Sequence, residues 1–252
     1  MHILVTNDDG VHAPGLLALV QAMQSLGDVT VFAPDRNWSA SGHTKTLGRP
    51  LRVDEVQLAD GTPALATDGA PSDCVSLALL GLIEPVDLVV TGINPHANIG
   101  SDITYSGTVT SAMEAVIGGV PGLAFSLETP LDLAEADYSS AGEIARRVAE
   151  KAIAEGLPKD TLLSTNIPYL PLDEIKGFRI TRLGERIYLD ELVSREDPFG
   201  RSYYWIGGKH PTGELIPDTD FGAISEGFVS ITPIQMDMTA YSEMKRLQGW
   251  EW

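Results

Sequence analysis

MHILVTNDDGVHAPGLLALVQAMQSLGDVTVFAP, residues 1–34, spells out one complete structural unit. HILVT (2–6) is an apolar run with no polar alternation, as a strand buried on both faces requires. Pro14 opens a helix, where its missing N–H is no loss, and Leu16, Leu19, Val20, Met23 and Leu26 recur at three- and four-residue spacings until Gly27 ends it. VTVFAP (29–34) is the next strand. The design then repeats. Residues 72–82 read as a helix, DLVVTGIN (87–94) as a strand, TVTSAMEAVIGG (108–119) as a helix closed by glycines, and GLAFS (122–126) as a strand. Residues 139–155 form a further helix with Ile144, Val148, Ala152 and Ile153 on one side. This alternation predicts an α/β fold, a three-layer Rossmann-like core whose mostly parallel sheet carries helices on both faces.

After about residue 162 the pattern changes to stretches rich in Pro, Gly and aromatics: STNIPYLP, FRITRLGERIYL, SYYWIGG and GFVSITPI. Alternation in FRITRL (178–183) predicts strands and hairpins instead of further β-α-β units. A projecting hairpin arm follows from this, and the closing GWEW (249–252) puts Trp250 and Trp252 where exposure on a monomer is costly, so subunit contacts are expected. The chain reads as one domain over 1–252, with the α/β core over about 1–185 and an oligomerisation arm plus C-terminal segment over about 186–252.

Composition narrows the function. Of 252 residues, 43% are apolar and 21% charged, the balance of an ordinary globular protein. No basic leader precedes the short apolar run 3–5, and no window approaches a membrane span, so a cytoplasmic protein is expected. The net charge of −18 opposes binding to a nucleic-acid duplex or an anionic membrane. Cys74 stands alone within DCVSLALL, which excludes an intramolecular disulfide and reads as a buried helix face. None of His2, His12, His43, His96 and His210 shows metal-binding spacing. Neither a dinucleotide fingerprint, a G-x-S-x-G elbow nor a P-loop lysine is present. Asp68 reads as a turn residue and Asp73 as an early-helix acid. Residues 36–52 hold Arg36, Lys45, Arg49, Arg52 and His43 with no acid among them, which a solvated basic loop explains.

In a parallel sheet ligands bind beyond the carboxyl ends of the strands. That rule selects NDDG (7–10), PDRNWSASGHTKT (34–46) and TGINPHANIGSDITYSGTVTSAME (91–114). Asp8 and Asp9 are adjacent carboxylates after a buried strand, a costly pairing unless a cation or hydrogen-bond donors compensate. With Ser39 and Asn94 on the same rim they form a set of hard oxygen donors suited to Mg²⁺ or Mn²⁺. Ser106, Gly107 and Thr108 open a helix, so free N–H groups, the positive dipole end and two hydroxyls are expected to converge there as an anion site, though the same residues also make an ordinary cap.

ILVTNDDGVHAPG, APDRNWSASG, GAPSDCV, LVVTGIN, ANIG, YSGTVTSAMEA and GFVSITPI, in this order from residue 1 to about 240, resemble the SurE family of stationary-phase survival proteins, metal-dependent nucleotidases. The resemblance implies a three-layer α/β/α core and one divalent cation per subunit, held by Asp8, Asp9, Ser39 and Asn94. It also implies phosphate contacts from Asn98, Ser106, Gly107 and Thr108, and dimers or tetramers with exchanged C-terminal segments. His96 stands where the family usually has Gly, GAPSDC where it has GTP-x-DC, and Trp38 where it has a small or variable residue.

The reaction expected is hydrolysis of nucleoside monophosphates, with 5′- and 3′-phosphates both open and short polyphosphate as a further substrate. Asp8 or Asp9 would be the base for water, or one of them would itself take the phosphoryl group. Two other readings remain at this point: a non-catalytic nucleotide-binding protein, and a metal-dependent hydrolase or transferase acting on a sugar linkage or polyphosphate. Tyr203, Tyr204 and Trp205, with residues 36–52, are expected to shape the pocket mouth.

Overall fold

The computed structural model describes every residue except Leu131, Asp132, Ala134 and Trp252, and leaves the side chains of Lys209, His210 and Pro211 undescribed. Trp252, one of the two tryptophans from which subunit contacts are expected, therefore lies outside the described residues.

The quoted unit forms as read: β1 (His2–Thr6), α1 (Pro14–Met23) and β2 (Asp28–Pro34). The later parallel strands are β4 (Pro63–Thr67), β5 (Leu88–Asn94), β6 (Gly122–Glu128) and β7 (Thr161–Pro168). Together they run side by side in the order β4-β2-β1-β5-β6-β7. Ile3, Leu4, Val5, Val89 and Val90 are fully buried, as expected for strands covered on both faces. One cover is α1 packed against α4 (Ser139–Glu155), which share a core with Leu16, Leu19, Met23, Ile144 and Val148. Ile153, assigned from periodicity to the same side of α4, lies 39% exposed. The other cover is α2 (Pro71–Leu77) against α3 (Gly107–Ile117). Three layers result. Cys74 is buried in the α2 layer, and burial pushes its thiol pKa well up, so it is packing and not a nucleophile.

Several features depart from the sequence reading. The helix expected over 72–82 stops at Leu77 and continues as a wider π-type turn to Leu82, where Gly81 at φ +103° leaves helical geometry. Two strands carry no clear periodic signal in the sequence: β3 (Val53–Gln57), the polar edge strand, and β4, with which it pairs antiparallel. FRITRL yields only the three-residue strand β8 (Phe178–Ile180). β9 (Arg186–Glu196) and β10 (Ser202–Gly213) form a separate two-stranded ribbon with Leu192, Phe199, Trp205 and Ile206 exposed. The rest of the segment assigned to the arm divides. α5 (Asp220–Ser225) and β11 (Val229–Gln235) return to the core, where β11 pairs antiparallel with β7 and parallel with β8. The reason is that β11 carries apolar residues on both faces, Val229 into the core of α1 and α4 and Ile234 into that of α3, which the free edge of β7 accommodates. Last comes α6 (Tyr241–Gln248), with no buried residue. Among the described residues no helix is long and apolar enough to cross a membrane.

α1 lies so close to β5 that a Cβ at Gly15 would stand 2.1 Å from the Ile93 carbonyl oxygen. Gly15→Ala must therefore push α1 off the sheet. Thermal denaturation is expected to show a loss of roughly 1–3 kcal/mol, the usual cost of overpacking.

Candidate active site

β1 is flanked by β2 on one side and β5 on the other, so the connections leaving β1 and β5 diverge and open a crevice at their carboxyl ends. Asp8 and Asp9 follow β1, and Asn94 ends β5 at a register shift between β5 and β6. The segment after β2 bends back, with Trp38 N–H donating to the Asp8 carbonyl at 2.7 Å, and this brings Ser39 to the same place. A cavity of about 580 Å³ is lined by Asp8, Asp9, Ser39, Asn94, Asn98 and Ser106. That volume suits a small organic ligand. Residues far apart in sequence thus share one wall.

Asp8 is nearly fully buried and accepts a hydrogen bond from the Thr108 hydroxyl. It also rests directly on Gly107, where a Cβ would meet the Asp8 Cβ at 2.6 Å, so this glycine is required by close approach. Burial raises the Asp8 pKa; the Thr108 hydroxyl and the backbone N–H groups of Asp8, Thr108 and Gly107 pull it back in part. Asp9 has weaker support, a 3.4 Å contact from Asn37 Nδ2, and burial together with the Asp8 charge pushes its pKa up to about 7.

This arrangement corrects one expectation. Of the two hydroxyls at the start of α3, that of Thr108 donates to Asp8 and does not stand free for an anion, while Ser106 Oγ accepts from Val109 N–H, capping the helix, and keeps its own O–H to donate. The anion that the structure places at this helix terminus is the carboxylate of Asp8 itself. Asn98 is held by Asn166 and Ser126, its N–H donating to Asn166 Oδ1 at 2.8 Å and its Nδ2 to Ser126 Oγ at 2.8 Å. Asn94 Nδ2 donates to the His96 carbonyl at 2.5 Å, which leaves Oδ1 as its available acceptor.

The basic segment is not an anion site. His43 and Lys45 pair with Glu114 of α3 at 2.9 and 2.7 Å, Arg49 with Asp68 at 2.6 Å, and Arg36 with its neighbour Asp35. Asp73 caps α2 through the Ala70 N–H and also accepts from Thr46 N–H. Only Ser39 and Ala40 of this segment line the cavity. Nor do Tyr203, Tyr204 and Trp205 line it; they lie exposed further along the ribbon. The root of the ribbon contributes instead, through Arg186 and Thr212, together with Phe221 of α5, Glu128 at the end of β6, Thr129 after it, and Tyr105. Arg186 pairs with Asp102 at 3.0 Å. Tertiary folding alone brings these residues in, and no local motif marks them.

Among the described residues no cluster of three or more His, Cys, Asp and Glu is placed to hold a metal. A buried and a half-buried carboxylate, both with raised pKa values, beside a hydroxyl and an amide oxygen nevertheless match the donor set of a hard divalent cation, which would restore their charged forms.

The family described as "Survival protein SurE" matches residues 3–190. This chain belongs to the SurE family. It is 51% identical over 253 residues to the 5′-nucleotidase SurE of Chloroflexus aggregans, covering all of both chains. With the protein of the same name from Herpetosiphon aurantiacus it is 52% identical, covering 100% of this chain and 99% of that one. Among solved structures the SurE protein from Aquifex aeolicus superposes with a TM-score of 0.83 at 38% identity, covering 98% of each chain. The α/β fold is thus a SurE fold, and the relatives carry a nucleotidase name.

A consequence for stability follows from Asp9. An acid whose pKa rises from 3.8 in the unfolded chain to about 7 in the folded one holds a proton that the unfolded chain has lost, so metal-free stability falls as pH rises from about 4 to 7. Asp9→Asn removes that penalty. In EDTA at pH 7.5 (roughly, above both pKa values) the variant should melt higher than the wild type, by an amount on the order of 3 kcal/mol at most. Adding Mg²⁺ should raise the melting temperature of the wild type and leave that of the variant nearly unmoved.

Proposed function

We propose that this SurE protein hydrolyses nucleoside monophosphates to nucleoside and inorganic phosphate. The observation that carries the reading is the Asp8–Asp9 pair in the crevice between β1 and β5, Asp8 buried against the N-terminus of α3 and Asp9 half-buried beside it. One divalent cation per subunit, Mg²⁺ or Mn²⁺, would be held by Asp8, Asp9, Ser39 and Asn94. When bound, it supplies Lewis acidity toward phosphoryl oxygens and offsets the two carboxylates.

The chain's own residues divide the remaining work. Asp8 is committed to the Thr108 hydroxyl and the start of α3, so it is the fixed member of the pair. Asp9, with its looser contacts, is the member free to accept a proton from an attacking water. Asn98, locked by Asn166 and Ser126, and Ser106 at the start of α3 face the phosphate and hold its oxygens as charge develops, while Gly107 and Thr108, in contact with Asp8, hold that carboxylate beside it. Uncatalysed monoester hydrolysis is among the slowest reactions known, so this charge stabilisation supplies most of the acceleration.

The reading extends to assembly and place. Within a single 1–252 domain, the ribbon at 186–213 serves as an oligomerisation arm and the segment after β11 as a C-terminal tail, joining copies as a homodimer or homotetramer with exchanged tails, while α5 and β11 stay with the core. The apolar surface of the ribbon and an α6 without buried residues support this. The protein works in the cytoplasm.

Phosphate release from AMP, GMP, CMP and UMP, with 3′-AMP and short polyphosphate alongside, tests the reading in Mg²⁺, in Mn²⁺ and after EDTA. Release is expected only with metal, and Asp8→Asn should lower kcat by at least about a hundredfold while circular dichroism stays native. Near-normal turnover by Asp8→Asn, or full activity in EDTA, would overturn the assignment.

A further inference from the structure

Among the described residues, Tyr105 is the one large aromatic that combines membership of the cavity wall with high exposure, at 60%. Its backbone is fixed from two sides: the N–H donates to the Asp102 carbonyl at 3.0 Å and the carbonyl accepts from Gly42 N–H at 2.9 Å. The next residue, Ser106, caps α3. The ring is therefore carried on rigid backbone directly beside the carboxylate pair's helix, yet nothing packs over most of its surface. Holding an aromatic ring in water costs its hydrophobic contact, and a ligand with a flat face recovers it.

The surroundings strengthen this. Asp102, which anchors the Tyr105 N–H through its carbonyl, uses its side chain to accept from Tyr188 Oη at 2.7 Å and to pair with Arg186 at 3.0 Å. The Arg186 guanidinium in turn lies over the Phe221 ring at 5.9 Å. Tyr105, Arg186 and Phe221 line the same cavity as Asp8, Asp9, Ser39 and Asn94. One cavity thus joins a set of oxygen ligands with an aromatic and guanidinium wall. A nucleoside monophosphate has the same two parts, a phosphate and a planar heterocycle.

Resting on the phosphomonoesterase reading above, we propose that Tyr105 is a specificity-determining residue on which the nucleobase stacks, with Arg186 and Phe221 framing the base on the same wall. Stacking is tolerant of base identity, because every base offers a flat face, so this subsite selects nucleotides over simple sugar phosphates more strongly than one base over another. It acts in binding and leaves the reacting atoms to the residues around Asp9.

The test compares AMP with ribose 5-phosphate, which keeps the scissile bond and lacks the base. For the wild type and for Tyr105→Ala and Tyr105→Phe, kcat/KM is measured on both substrates, and adenosine and inorganic phosphate are titrated as competitive inhibitors. Tyr105→Ala is expected to lower the AMP to ribose 5-phosphate selectivity roughly tenfold or more, chiefly through KM for AMP. The inhibition constant for adenosine should rise by a similar factor against an unmoved one for phosphate, and Tyr105→Phe should restore both. Equal losses on the two substrates, or unchanged selectivity in an active Tyr105→Ala enzyme, would overturn the stacking role alone. A folded, metal-loaded wild type that releases phosphate from neither substrate would overturn the hydrolase reading and this inference with it.

Discussion

Two carboxylates next to each other at the end of a fully buried strand set the terms for everything around them. Asp8 cannot move away, because β1 fixes its backbone between β2 and β5, and it cannot be solvated, because α3 covers it. The fold answers by turning donors onto it: the Thr108 hydroxyl and the first N–H groups of α3. Gly107 is the steric counterpart, since any Cβ there would overlap Asp8. These donors offset part of the cost of burying Asp8. Asp9 is left with burial and its neighbour's charge, and its pKa near 7 measures what remains uncompensated. A site that keeps such a charge in reserve gains from a cation in a way that a fully satisfied pair would not.

The position of Ser39 depends on a second electrostatic arrangement. In a chain of net charge −18, the acid-free segment 36–52 concentrates cations where three acids from other elements await them. Glu114 takes His43 and Lys45, and Asp68 takes Arg49 and the Arg52 N–H, while Asp73 accepts from the Thr46 N–H. Glu114 is nearly buried and also accepts from Ser76 Oγ, so the loop is tied to both α2 and α3. These contacts are structural. Their effect on the site is to hold the loop that presents Ser39 against the same helix whose first turn faces Asp8.

The core and the ligand rim were legible because their signals are local. Period separates β1, α1, β5, α3 and β6 cleanly, and a rule about strand ends is enough to place Asp8, Asp9, Ser39 and Asn94 together. What escaped is non-local. β3, VDEVQ, has Asp54, Glu55 and Gln57 exposed and reads as polar loop because it is an edge strand. β11 resembles an arm strand until the free edge of β7 is available to it. At the site, Ser106 and Thr108 were recognisable as hydroxyls at a helix start, and the Ser106 cap on Val109 N–H is local, but the bond from Thr108 to Asp8 depends on how closely α3 meets the end of β1. Arg186, Thr212 and Phe221 carry no motif, and only the return of the chain past the ribbon brings them to the cavity.

That return joins two regions which the sequence separates. Arg186 begins β9 and Thr212 lies near the end of β10, so the root of the ribbon is also a wall of the cavity. Two acids fasten it: Asp102 binds Arg186 and Tyr188, and Asp220 accepts from both Gly100 N–H and Gly184 N–H at 2.8 Å. Asp102 and Gly100 belong to the short 3₁₀ turn that leads directly into Tyr105 and the cap of α3. A rotation of the ribbon about its root would therefore have to break these bonds or carry the turn with it. The exposed apolar strand surface and the cavity wall are two ends of one hydrogen-bonded unit, and the shape of the cavity cannot be set independently of where the ribbon points.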